Sequence, residues 1–277
     1  MINKNDIILK TKKKLFLSSF GEHNSTFNGN GIDFKEVREY NTSDDIRHIN
    51  WKVTARTMKP SVNIFNETKQ LNIVLVYLNS GGLDFGSDKS KKDIAIEVLT
   101  SLGFSTISNN DMLTTIFYSD KHIKFNKPSK HKSIIDINYD IAQKLDPIGN
   151  TIDYKKLNQY LLNKIKKRSI IFLIGDFLES GDFTLLSSKH ELYCVILRDK
   201  KEEELELFGE YNFIDNSTLE EINLDINKKS ITEYNTLFKD KDDKLFNHLK
   251  LNGISFKKMY TTCDVVSKLS LLTNCKV

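Results

Sequence analysis

The stretch Asn41–Trp51, NTSDDIRHINW, brings Asn41, Ser43, Asp44, Asp45, Arg47, His48 and Trp51 close together in sequence. A carboxylate beside a histidine is a combination suited to proton transfer or a polar docking surface. No second histidine lies at metal-ligand spacing from His48, which argues against a metal role. The plainer reading is an N-capped helical turn, with Asp44 and Asp45 near its start and Arg47 paired to a carboxylate. Arg38, Arg47 and Arg56 stand near Glu39, Asp44 and Asp45, and guanidinium–carboxylate pairs of this kind can fix an irregular segment. The network is expected to clamp residues 1–70 onto the rest of the chain, with Tyr40 and Trp51 as core anchors of that extension. A second stretch, LNIVLVYLNSGGLDFGS from Leu71 to Ser87, reads as a buried strand running into a small polar loop.

The known catalytic signatures are missing. There is no G-x-x-x-x-G-K-[ST] phosphate loop, no H-E-x-x-H, no G-x-S-x-G and no C-x-x-C. The GNG at 29–31 is too short for a dinucleotide loop. The chain therefore reads as non-enzymatic and free of cofactors; a hydrolase or nuclease is an alternative without a named nucleophile.

The elements that would position these residues alternate. LNIVLVYL (71–78) is a continuous apolar run, as in a strand covered on both faces. Residues 91–108 place Ile94, Val98, Leu102 and Ser105 at helical spacing. Strands are expected over 112–119, 169–177, 191–198 and 254–260, with a short edge piece KHIKF. Helices are expected over 134–145, 151–167, about 231–250 and 264–272. This alternation predicts an α/β fold, a mostly parallel sheet with helices on both faces. Residues 1–70, with Asn-Gly turns at 28–29 and 30–31, are expected as loops and short strands packed on the main domain, 71–277.

The chain has 277 residues, with 41 Lys+Arg against 37 Asp+Glu and a net charge of only +4. That balance does not suggest a nucleic-acid binder. The run Lys10–Lys14 reads as a solvated segment, with salt-sensitive contact to phosphates or anionic lipid as a weaker alternative. No apolar run approaches the length of a membrane span, and the N-terminus lacks a secretory pattern. Cys194, Cys263 and Cys275 are odd in number and dispersed, which argues against a disulfide framework. The cytoplasm is the expected compartment.

Gly21–Pro60, GEHNSTFNGNGIDFKEVREYNTSDDIRHINWKVTARTMKP, resembles the signature of the bacterial family called domain of unknown function 58. The matching positions are Gly21, Glu22, His23, Ser25, Gly29, Gly31, Phe34, Arg38, Tyr40, Asp44, Asp45, Arg47, Ile49, Trp51, Ala55 and Arg56. Ser43 stands where Gly is common, and Asn50 where Asp is common. LDFGS, GNT and IGDF follow in the expected order. The resemblance implies a von Willebrand factor A-like fold. It further implies partnership with a MoxR-type AAA+ ATPase, and with other von Willebrand A proteins, in protein assembly or maturation.

It also implies where a metal would sit. Von Willebrand A domains can hold Mg²⁺ or Mn²⁺ through D-x-S-x-S after the first strand, a later Thr and a later Asp. Here those five positions run from Leu78 to Gly82, so Leu78 replaces the leading Asp and Gly82 the second Ser. Ser80, Thr151 and Asp176 keep their types, and Asp84 lies nearby. One carboxylate and two hydroxyls are a poor cage for a hard cation, so the site is read as degenerate. A metal-dependent binding domain using Ser80, Thr151 and Asp176 is the alternative.

Overall fold

The computed structural model describes residues 31–269, except Ser43, Lys69 and Ser180. Lys10–Lys14, Cys275 and the signature positions Gly21, Glu22, His23, Ser25 and Gly29 lie outside the described residues. The chain divides at Leu71/Asn72 into two compact units.

The larger unit is built on a six-stranded sheet. Its strands are β3 (Asn72–Leu78), β4 (Met112–Tyr118), β5 (Ile123–Ser129), β6 (Ile170–Gly175), β7 (Glu191–Arg198) and β10 (Ser255–Tyr260), in the order β10-β7-β6-β3-β4-β5. All neighbours pair in parallel except β4 and β5. The chain winds outward from β3 to β5, crosses back, and winds outward again through β6 and β7. The reversal between β3 and β6 is a topological switch point, where ligands of doubly wound sheets bind beyond the strand carboxyl ends.

Alternation along β3 divides its side chains between two layers. Val74, Val76 and Leu78 join a core with Tyr154, Leu157 and Leu161 of α4 (Tyr154–Lys164), Leu186 of α5 (Thr184–Lys189) and Leu245 and Leu249 of α7 (Lys228–Leu251). The other face is covered by α2 (Lys91–Ser108), which also packs on α3 (Ser133–Lys144) and α8 (Val265–Leu269). Ser90 starts α2 in a capping box with Asp93, which satisfies N–H groups that a helix end leaves unpaired. α6 (Lys200–Glu203) leads into a separate antiparallel hairpin, β8 (Gly209–Ile214) and β9 (Glu221–Ile226). None of the helices is long and apolar enough to cross a membrane, among the described residues.

The smaller unit contains β1 (Gly31–Glu39) paired antiparallel with β2 (Ser61–Thr68), plus a 3-10 turn, Ile46–His48, and α1 (Trp51–Thr57). Its strands are longer than the loops and short pieces expected. Residues 40–60 lie between the paired strands, so no tight-turn signal marked the hairpin. Trp51, expected as a core anchor, is 69% exposed. It opens α1, a helix that buries none of its residues.

Gly175 and Leu78 are matched across β6 and β3. A Cβ on Gly175 would lie 2.9 Å from the Leu78 Cβ. Gly175→Ala is expected to cost about 1–3 kcal/mol through overpacking. Part of that loss should return in the Gly175→Ala/Leu78→Ala double variant, relative to Leu78→Ala alone, measured as a urea-unfolding cycle.

Candidate functional site

The loops after β3 and β6 meet at the switch point. Leu78 ends β3 fully buried, with its side chain in the core rather than the loop. Asn79 donates its backbone N–H to the Tyr118 carbonyl at 2.8 Å and its side-chain amide to the Asp146 carbonyl at 2.8 Å. Ser80 then donates its hydroxyl to Asp176 Oδ2 at 2.9 Å, with both residues buried.

Gly82 explains how Asp176 can turn inward. A Cβ there would lie only 2.0 Å from Asp176 Oδ2. The carboxylate thus occupies the space that a serine at this position would claim. The Thr151 backbone exchanges hydrogen bonds with Asp120, Thr151 N–H to Asp120 Oδ1 at 3.0 Å and Asp120 N–H to the Thr151 carbonyl at 3.0 Å. Asp84 is exposed at the end of the 3-10 turn Gly81–Asp84. Among the described residues, no group of three or more His, Cys, Asp or Glu is arranged to hold a metal ion. Leu78 offers no oxygen and the one carboxylate is engaged by Ser80, so the donor set does not suit Mg²⁺ or Mn²⁺, which favour oxygen-rich shells.

Two charged residues at the end of β7, not singled out from the sequence, hold this edge together. Arg198 is 1% exposed. Its Nη1 donates to the Asp176 carbonyl, and its Nη2 meets Asp242 Oδ1 of α7 at 2.7 Å. Asp242 also binds Lys258 Nζ at 2.7 Å, and Lys258 reaches Glu203 Oε1 at 2.6 Å. The adjacent Asp199 accepts hydrogen bonds from Ser87 N–H (2.9 Å), Ser87 Oγ (2.7 Å), Lys201 N–H (2.8 Å) and Thr261 Oγ1 (2.5 Å). Burial alone would raise its pKa, but the bonds from Thr261 and Ser87 outweigh that and bring it to about 2. The available signal was LRDK, a charged pair closing an apolar strand.

The hairpin reaches the same edge. The Asn216 carbonyl accepts from Gly149 N–H at 2.7 Å, and a Cβ on Gly81 would lie 2.3 Å from that carbonyl oxygen. Burial pushes the Glu179 carboxyl up, and the nearby carboxylates Asp176, Asp120, Asp215 and Asp153 add to it. Five carboxylates, Glu179, Asp176, Asp120, Asp215 and Asp153, therefore gather near this edge.

In the smaller unit, Arg38 makes a bidentate pair with Asp44, at 2.9 and 2.7 Å. Arg47 pairs with Asp45 at 2.6 Å, and Asp45 caps the 3-10 turn through Arg47 N–H. The Arg47 guanidinium holds the Asp45 carboxyl down at about 2. Arg56 is exposed and joins neither pair. Tyr40 is half-buried and donates its N–H to the Pro60 carbonyl at 2.8 Å. Asn50 caps α1 by accepting from Val53 N–H at 3.1 Å, while its amide donates to Asn63 Oδ1 at 2.8 Å. The second bond needs an amide donor that an ionised aspartate lacks.

The family model described as Protein of unknown function DUF58 matches residues 36–244, which span most of both units. The chain belongs to the DUF58 family. The family read from the Gly21–Pro60 signature is the one matched, and the mostly parallel sheet with helices on both faces is the α/β arrangement expected from the strand–helix alternation. This DUF58 chain is 24% identical over 212 residues to the uncharacterized protein Rv1480 of Mycobacterium tuberculosis. The uncharacterized protein Mb1516 of Mycobacterium bovis is similar to the same extent. The match takes in 73% of this chain, which spans 66% of the length of those curated relatives. Among solved structures, the conserved hypothetical protein BatB from Bacteroides thetaiotaomicron is similar with a TM-score of 0.45 at 9% identity, over 74% of this chain and 97% of that one. The SpRpn10 VWA domain is similar with a TM-score of 0.37 at 12% identity, over 74% and 94% of the two chains.

The Asp199 cluster predicts acid sensitivity. Its folded pKa of about 2 lies below the unfolded value of about 3.9, so the unfolded chain takes up the proton first as pH falls. The resulting stabilisation, about 2–3 kcal/mol, is complete above about pH 5 and lost between about pH 4 and pH 2. Chemical denaturation across that range should show the loss, and Asp199→Asn should flatten the slope that this group contributes.

Proposed function

We propose that this DUF58 protein is a non-enzymatic protein–protein interaction module. Its partner is a MoxR-type AAA+ ATPase in protein assembly or maturation, and other von Willebrand A proteins accompany it. The contacts it makes are direct and need no bridging metal or other cofactor. The inward pairing of Asp176 with Ser80 over Gly82 carries this reading. A metal-bridged mechanism would need that carboxylate free to share an ion with a partner's carboxylate. The ATPase comes from the signature resemblance. The dispersed, odd-numbered cysteines favour the cytoplasm as the compartment.

The test is an affinity capture of tagged protein from its native lysate, in matched Mg²⁺-ATP and EDTA lanes. Recovery of an AAA+ ATPase in both lanes is expected, and its absence from both would remove the proposed partner. Asp176→Ala should lower the melting temperature yet leave recovery of the ATPase intact; loss of recovery from a folded variant would favour the metal-dependent alternative. Purified protein should likewise show no saturable, EDTA-reversible rise in melting temperature on Mg²⁺ titration.

A further inference from the structure

Among the described residues, the hairpin β8–β9 is a sheet of only two strands, with both outer edges unpaired. Its register sets Tyr211 opposite Leu224 and Phe213 opposite Ile222, so these four share one face. Glu210 opposite Asp225, Asn212 opposite Asn223, and Ile214 opposite Glu221 share the other. One face is thus apolar and the other predominantly polar and acidic. The rest of the molecule leaves both largely open: Tyr211 is 40% exposed, Leu224 49% and Ile222 52%. From Glu204 to Asn227 the chain has no Lys, Arg or His. The hairpin is held at its base by buried Ile226 and at its turn by Asn216, and is open along its length.

A two-stranded ribbon in water is marginal, and a third strand with a shared apolar face stabilises it. Sheet edges are usually guarded by Lys or Pro. β5, one of the two outer strands of the large sheet, carries Lys124, Lys127 and Pro128, whereas β8 and β9 carry neither Lys nor Pro. Pairing two copies of the hairpin would set their acidic faces side by side, which like-charge repulsion disfavours.

We propose that a free edge of this hairpin binds, by strand addition, an extended segment of another protein in which apolar residues alternate with Lys or Arg. The apolar side chains continue the face of Tyr211, Phe213, Ile222 and Leu224. The cations continue the opposite face and pair with Glu210, Glu221 and Asp225. Main-chain hydrogen bonds supply affinity, and the alternation supplies selectivity. The proposal rests on the interaction-module reading and adds to it a surface and a partner chemistry.

The test uses purified full-length chain and labelled peptides, so its outcome is separate from recovery of an ATPase. A KVKVKVK peptide should bind by fluorescence anisotropy, weaken as salt rises, and slow amide exchange within β8 and β9. An EVEVEVE peptide should not bind. The double variant Glu210→Lys/Asp225→Lys should weaken the lysine peptide about tenfold, as loss of cross-strand ion pairs would, and should gain binding to the glutamate peptide. That gain cannot come from a misfolded hairpin. Equal binding of both peptides, no effect of the double variant, or protection confined to other segments would overturn the proposal. Binding seen only after Lys10→Gln, Lys12→Gln, Lys13→Gln and Lys14→Gln together would also overturn it, since the chain's own basic run would then be covering the hairpin.

Discussion

Arg198 and Asp199, consecutive residues at the end of β7, are the joint on which the carboxyl edge of the sheet depends. Both are almost fully buried. A buried charge costs several kcal/mol unless it is paired and hydrogen-bonded, so each imposes an arrangement on its surroundings. Arg198 draws in the chain after β6, through the Asp176 carbonyl, and α7, through Asp242. Asp199 draws in the loop after β3, through Ser87, and the chain after β10, through Thr261. Loops that would otherwise move independently are therefore tied to one dipeptide.

This tie gives the candidate site its character. The backbone of Asp176 is held by Arg198 while its carboxylate turns onto Ser80, and Gly82 leaves room for that turn. Leu78 completes the change: the position that would lead a metal loop belongs to the hydrophobic core and has Gly175 as its neighbour. Turning the carboxylate outward would break a buried hydrogen bond and leave the Ser80 hydroxyl without its acceptor, which is costly away from water.

The hairpin contrasts with that edge. The large sheet has helices on both faces, and one of its outer strands, β5, carries charges and a proline. The hairpin has two half-open faces of opposite character and two free edges. In stability terms it is the least supported strand pair of the larger unit, and segments of low local stability are where binding and ordering tend to be coupled.

Much of the fold was legible in the chain because it is written in local patterns. The apolar run before Leu78 and the helical spacing of Ile94, Val98 and Leu102 depend on near neighbours in sequence. The family signature was legible for the same reason, as an ordered local string. So were the departures at Leu78 and Gly82, because a side chain without an oxygen cannot ligate a hard cation in any fold. The β8–β9 alternation was present too, in Tyr211/Phe213 and Ile222/Leu224, but was not singled out. What only the tertiary structure decided is where side chains find distant partners. Trp51 stays exposed, and Arg56 stays out of the Arg38–Asp44 and Arg47–Asp45 pairs. Asp176 turns inward only because Gly82 lies against it, and Asp199 finds Ser87 across a separation of 112 residues. Periodicity reports which face of an element is apolar; it carries no information on which distant charge will be brought to it, because packing of the whole chain sets that distance.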